Sequence, residues 1–173
     1  MLGLQTIIFS QKKIIVIPPL TCQILYSSPG FNDNVTSTVS APISQKLKIT
    51  SSTTVCQVSQ TFYNENGTTI VCEFWTGPGR TGSQIGSTSD NAIGADQGGG
   101  FGITSFYWTG TSNPTLTSDC YMTFHFPSSP GGNTINVSSN TTDPYETGLG
   151  YDAYKGATQQ TGHDLVFNLF TMQ

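Results

Sequence analysis

The amino-acid sequence predicts an all-β protein, a two-layer antiparallel β-sandwich for which a jelly roll is one available form. Three observations carry that reading. Segments rich in Val, Ile, Thr, Phe, Tyr and Trp alternate apolar with polar residues and are bounded by Gly, Pro, Asn and Ser clusters. No stretch keeps a helical apolar period over the length of an ordinary helix. The 173-residue chain is 35% hydrophobic and 11% aromatic but only 9% charged, against roughly 25% charged in an average soluble protein. Its polarity comes from hydroxyl and amide groups, which suit strand faces, and its aromatic content separates it from a disordered chain.

Taken in order, the first twenty residues read as two short strands, Leu4–Phe9 and Ile14–Ile17, closed by Pro18-Pro19. They lack the basic start and small-residue cleavage site of a leader peptide, and neither apolar half nears the ~18 residues that cross a bilayer. Cys22–Tyr26 is a third strand. Ser27–Ser44, with Pro29-Gly30 and Pro42, reads as a loop holding one short strand near Val35–Val39. Lys46–Thr50 alternates Lys46, Lys48 and Thr50 outward with Leu47 and Ile49 inward.

The stretch Thr53–Thr76 carries the strongest local signal. Two long β-rich arms flank Asn64-Glu65-Asn66-Gly67, and Asn-Gly favours a hairpin turn, so the expectation is a hairpin. In its register Cys56 and Cys72 point to opposite faces and cannot bridge each other. Gly77–Gly102 follows, a Gly-rich segment too long to be structureless in a compact domain without a functional reason, or else hiding a strand such as Ser83–Ile85.

Gly102–Thr109 places Phe106 and Trp108 on one face and Ile103 and Tyr107 on the other. Thr115–Phe126 sets Leu116, Cys120, Met122, Phe124 and Phe126 against Thr117, Asp119, Tyr121, Thr123 and His125. Pro127–Thr142 reads as loop. Asp143-Pro144-Tyr145-Glu146 has the N-cap, N1 and N3 residues of a helix start, cut to a turn or two by Gly148 and Gly150. His163–Met172 is the last strand, with Leu165, Phe167 and Leu169 on one side. The expected organisation is one sandwich domain over residues 1–173, with 1–20 a segment able to exchange or pair at a sheet edge.

Four cysteines, Cys22, Cys56, Cys72 and Cys120, lack zinc-site spacing and predict two disulfides of open pairing in an oxidising compartment. Sequons at Asn34, Asn66, Asn136 and Asn140 mark N-glycosylation candidates. Net charge −4 and scattered Lys and Arg offer no basic patch for nucleic acid or an anionic membrane. Catalytic motifs are missing, and His125 and His163 have no spacing that joins them to a carboxylate. Asp90, Asn91 and Asp96 are the oxygen-bearing side chains a weak calcium site would draw on, without an EF-hand pattern. Together with Trp75, Tyr107 and Trp108 they are also the candidates for binding a glycan, aromatic platforms beside hydroxyl-binding loop groups.

Two functions follow as expectations. The first is a non-enzymatic extracellular structural or assembly subunit, a component of a surface filament, coat or outer virion shell, with itself or another surface protein as partner. The alternative is a lectin-like glycan-binding module built on loop 77–102. Neither needs a cofactor.

Overall fold

The computed structural model describes residues 21–173 apart from 29, 31, 39–40, 64–68, 94–100, 110–111, 128–134, 143–144 and 146–150. In chain order the strands are β1 Cys22–Ser27, β2 Asp33–Ser37, β3 Ile43–Leu47, β4 Thr53–Tyr63, β5 Thr69–Trp75, β6 Gln84–Ile85, β7 Ala92–Ile93 and β8 Phe101–Tyr107. They continue with β9 Thr115–Leu116, β10 Cys120–His125, β11 Ile135–Asn140, β12 Ala153–Lys155, β13 Thr158–Gln160, β14 Asp164–Leu165 and β15 Phe167–Met172. A single turn of 3-10 helix covers Pro78–Arg80. The predicted strands Leu4–Phe9 and Ile14–Ile17 and the turn at Asn64–Gly67 lie outside the described residues.

Two antiparallel sheets face each other. In the first, β1 pairs β15, β15 pairs β4, and β4 pairs β8 along its other side, while β11, β2 and β14 extend one end. In the second, the order is β13-β12-β3-β10-β5-β6. The pairs β1–β15, β3–β10, β4–β8 and β5–β6 are nested in sequence. That nesting is one long hairpin of strands rolled into two layers, the jelly roll.

Between the sheets, the alternating residues meet. Phe62, Phe106 and Phe124 form a triangle with ring centroids 5.3–6.1 Å apart, and Phe74 packs at 5.9 Å from Trp108. Each fully buried side chain of this size contributes roughly 1.5–3 kcal/mol. Leu116, Met122, Phe124, Phe126, Leu165, Phe167 and Leu169 all lie in this core, on the faces that alternation assigned to them.

The expected hairpin is corrected. β4 belongs to the first sheet and β5 to the second, so Thr53–Thr76 crosses the core and does not fold back beside itself. Each arm finds better neighbours than the other arm: β4 lies between β15 and β8, and β5 beside β10. Strand β3 starts three residues before the predicted Lys46, directly after Pro42. The apolar pattern hid this because its inward residue Gln45 is polar and fully buried. Gln45 donates to Asp164 Oδ1 at 2.9 Å and to the Tyr151 carbonyl, and its Oε1 accepts from Leu165 N–H at 2.7 Å. A buried amide is tolerated when its groups are met in this way.

Thr115–Phe126 is broken into β9 and β10, which serve different sheets. Residues 117–119 make the crossing, with the Asp119 carboxylate accepting from Ile49 N–H at 2.9 Å and from Tyr151 Oη–H at 2.5 Å. The predicted loop Pro127–Thr142 contains β11, a central partner of β2 and β4.

Candidate functional site

One disulfide joins Cys22 of β1 to Cys56 of β4, with Cα atoms 6.0 Å apart. Of the two bridges expected, this is the one the structure forms; Cys72 and Cys120 are buried thiols. The ladder pairs Cys72 with Phe124, so Cys120 lies four positions along β10. At ~3.3 Å per residue that is roughly 13 Å, beyond the ~7 Å a bridge can span. Burial pushes the Cys120 thiol up to about 12 and raises Cys72 well above its ordinary value, which makes both poor nucleophiles.

The glycan candidates do not converge. Trp108 is a core residue, 4% exposed, its indole N–H donating to the Ser87 carbonyl at 2.9 Å; it cannot act as a surface platform, a correction that follows from the sandwich needing a large filler there. Tyr107, its neighbour on β8, is exposed on the outer side of the first sheet. Asp90 lies beside it, donating its backbone N–H to the Tyr107 carbonyl at 2.8 Å. The Asp90 carboxylate accepts from Thr109 N–H and Oγ1–H, and these bonds hold its pKa below the ordinary carboxylate value. Asn91 is exposed next to it, and Asp96 lies outside the described residues. Among the described residues no group of three His, Cys, Asp or Glu is placed to hold a metal ion.

Trp75 stands elsewhere, half-buried on the outer side of the second sheet. Its indole N–H donates to Glu73 Oε2 at 2.9 Å. Glu73 is nearly completely buried, and a lone buried carboxylate is costly. It is met by Arg80 Nε at 2.8 Å and by Thr88 Oγ1–H, which donates to Oε1 at 2.9 Å. The Arg80 guanidinium also lies over the Trp75 ring, 5.4 Å from its centroid.

The segment that delivers Arg80 is fixed at several points. Gly79 N–H donates to Ser44 Oγ at 3.0 Å, and Ser44 Oγ is 2.9 Å from Thr123 Oγ1. Gly79 has φ +59°, and a Cβ there would meet the Gly156 carbonyl carbon at 2.5 Å, so only glycine fits. Arg80 itself takes φ +68°, a left-handed conformation that costs a non-glycine residue about 1–2 kcal/mol. The Glu73 ion pair and the ring contact offset that strain.

His125 follows Thr123 on β10, whose ladder partner is Glu73. Burial lowers the His125 pKa and the Arg80 charge adds to the effect, with Glu73 opposing. Tyr121 and Tyr154 meet edge to face at 5.2 Å on the same side, and burial pushes the Tyr121 hydroxyl up to about 12. This group of residues braces loop 76–88 against the sheet. Sequence reading missed Glu73 because a carboxylate at an outward strand position is ordinarily solvated. The usable signal was the single arginine of the chain, set in a Gly-Pro turn seven residues later.

Beside β1 lies a cleft of about 200 Å³ whose lining includes Leu25, Tyr26, Lys48, Ile49, Tyr145 and Leu169. Ligand pockets typically run ~300–1,000 Å³, so this cleft lies below that range. Among the described residues no helix is long and apolar enough to cross a membrane.

Fold and site together define a jelly-roll sandwich with a braced loop on one sheet and an exposed edge strand on the other. No family model matches the chain, and no curated protein matches it.

Proposed function

We propose that the chain is a non-enzymatic extracellular structural subunit, assembling with copies of itself or with another surface protein into a filament, coat or outer shell. The observation that carries this reading is strand β1. Among the described residues it pairs only β15, and within them its other side is an open sheet edge. Ile24 and Leu25 on it are 56% and 51% exposed. An exposed apolar edge is a template for another strand, and monomeric proteins ordinarily blunt it with charge. Residues 1–20, with apolar runs Leu4–Phe9 and Ile14–Ile17, lead directly into that edge and are the candidate exchanging segment. The 200 Å³ cleft beside Leu25 would receive one side chain of an added strand. The Cys22–Cys56 bridge fits an oxidising compartment, and the acidic chain, without a basic patch, fits an outer component that does not contact nucleic acid. Electron microscopy of the concentrated full chain tests this: filaments, rings or shells are expected, and uniformly dispersed single subunits would overturn it.

A second reading, a lectin-like module, rests on the exposed Tyr107 beside Asp90 and Asn91 at one end of loop 77–102. A glycan array run with and without calcium tests it. Binding lost on Tyr107→Ala is the expected result, and an array without binding under either condition would dismiss it.

A further inference from the structure

Strands β1, β4, β8 and β15 contain no Asp, Glu, Lys, Arg or His between them. The described Lys and Arg, namely Lys46, Lys48, Arg80 and Lys155, lie on the second sheet or its connections, and Lys48 also lines the cleft beside Leu25 and Tyr26 of β1. These four strands therefore form a patch with no charged residue of its own; Asp33 of β2 and Asp164 of β14 in the same sheet, and Asp90 beside Tyr107, belong to neighbouring segments. Cross-strand register arranges the patch in rows. Ile24, Phe170, Gln57 and Tyr107 form one row, and Ser27, Asn168, Ser59 and Ser105 form the next. Ile103 projects beyond them, 67% exposed. The middle of the face is a hydrogen-bonded ladder: Ser59 Oγ lies 3.0 Å from Ser105 Oγ, and Gln57 Nε2–H donates to Ser59 Oγ at 3.2 Å.

We infer that this face is a docking surface for the same face of a second copy of the chain. The inference rests on the assembly reading above and assigns its contact. Two features select a second copy over an unlike partner. In a two-fold contact each patch meets itself, so any charge near the axis faces its own like charge; a chain of net charge −4 has kept these four strands free of charge. Hydroxyls and carboxamides both donate and accept, so a row of Ser, Asn and Gln is complementary to itself, as a carboxylate or ammonium row cannot be. The apolar side chains Ile24, Phe170, Ile103 and Tyr107 supply the area removed from water. Four strands at ~4.8 Å and about seven residues at ~3.3 Å give a footprint of roughly 450 Å² per copy. That is about half the ~800 Å² per partner of a stable dimer. The contact is accordingly concentration-dependent by itself, and gains from repetition when each subunit also engages at β1.

The experiment is a charge swap on the full chain. Ile103→Lys and Ile103→Glu are each prepared, with Lys155→Glu on the other sheet as control, and molar mass is followed by light scattering across concentration; circular dichroism confirms the fold. Each Ile103 variant is expected to self-associate roughly tenfold more weakly than wild type, an equimolar mixture of the two to recover association, and the control to match wild type. If wild type associates and both Ile103 variants associate equally well, the face is overturned while the assembly reading stands. If wild type never associates, the assembly reading falls first and this contact with it. Should the variants lose glycan-array binding while their association is unchanged, the face belongs to a glycan, which also overturns the inference.

Discussion

Cys22 and Cys56 are bonded although their strands are not neighbours: β15 lies between β1 and β4 in the sheet. Cys56 is skipped where the β4–β15 register shifts, with Phe170 opposite Gln57 and Thr171 opposite Val55. It is thus the extra residue of a bulge, a device that re-aims a side chain. The bridge fastens the exposed edge strand to the middle of the sheet. For the proposed assembly, an edge that recruits a neighbour must not itself peel away, and the bond would meet that need.

The bridge closes a loop of 34 residues of sequence separation, for which chain entropy gives roughly 3–4 kcal/mol. Cys56→Ser is expected to lower the free energy of unfolding by about that amount in urea. The unreduced, denatured chain should titrate with two free thiols, Cys72 and Cys120. A titration showing none would mean that these two are also bridged.

Arg80 partners a buried carboxylate, and its loss should cost more than a surface ion pair. Arg80→Ala is expected to destabilise by about 1.5–3 kcal/mol. Adding Glu73→Gln should recover part of that loss, because the neutral amide is cheaper to leave buried. If the double variant is less stable than Arg80→Ala, the burial argument for Glu73 is wrong. Trp75 fluorescence should respond to Arg80→Ala, since the guanidinium leaves its ring.

His125 has a folded-state pKa lowered from 6.5 by burial and by Arg80. In the window below 6.5 the unfolded chain then binds the proton more readily than the folded one. This contribution to stability is complete above that value and is lost as pH falls towards the folded pKa. His125→Gln should flatten that part of the stability–pH profile. An unchanged slope between pH 6.5 and 5 in the variant would contradict it.

The sequons are not equivalent in the fold. Asn140 is 8% exposed, its Nδ2 donates to the Gly30 carbonyl at 2.9 Å, and its Oδ1 accepts from Thr142 N–H and Oγ1–H. Its amide is committed to holding a turn. Asn34 is exposed on β2, while the Asn136 side-chain Oδ1 accepts from Thr36 Oγ1–H at 2.9 Å. In a secreting eukaryotic host, peptide mapping should find glycan on Asn34 and none on Asn140. Glycan on Asn140 with the fold intact would refute this ranking. Asn66 lies outside the described residues.

Alternation made most of the sandwich legible. The inward faces of β8, β10 and β15 follow from residue type alone, because a period of two leaves one choice once the apolar face is known. Pairing was harder. Asn-Gly between two β-rich arms reports only that the chain reverses there, and a jelly roll uses the same reversal to cross between layers. The buried Gln45 and Glu73 were illegible for a related reason. Each breaks the polar-outside rule and is tolerated only through partners far along the chain, Asp164 for the one and Arg80 in a strained turn for the other. The outer face with Tyr107 could be read from the strand, but its freedom from charge emerges only when the four strands are set side by side.

The most direct test of the central claim is sedimentation velocity of the full 18.5 kDa chain from micromolar to millimolar concentration, beside the same chain lacking residues 1–20. The full chain should show a weight-average mass that rises with concentration, and the shortened chain should associate less at every point. A full chain that sediments as a single subunit throughout would contradict the account.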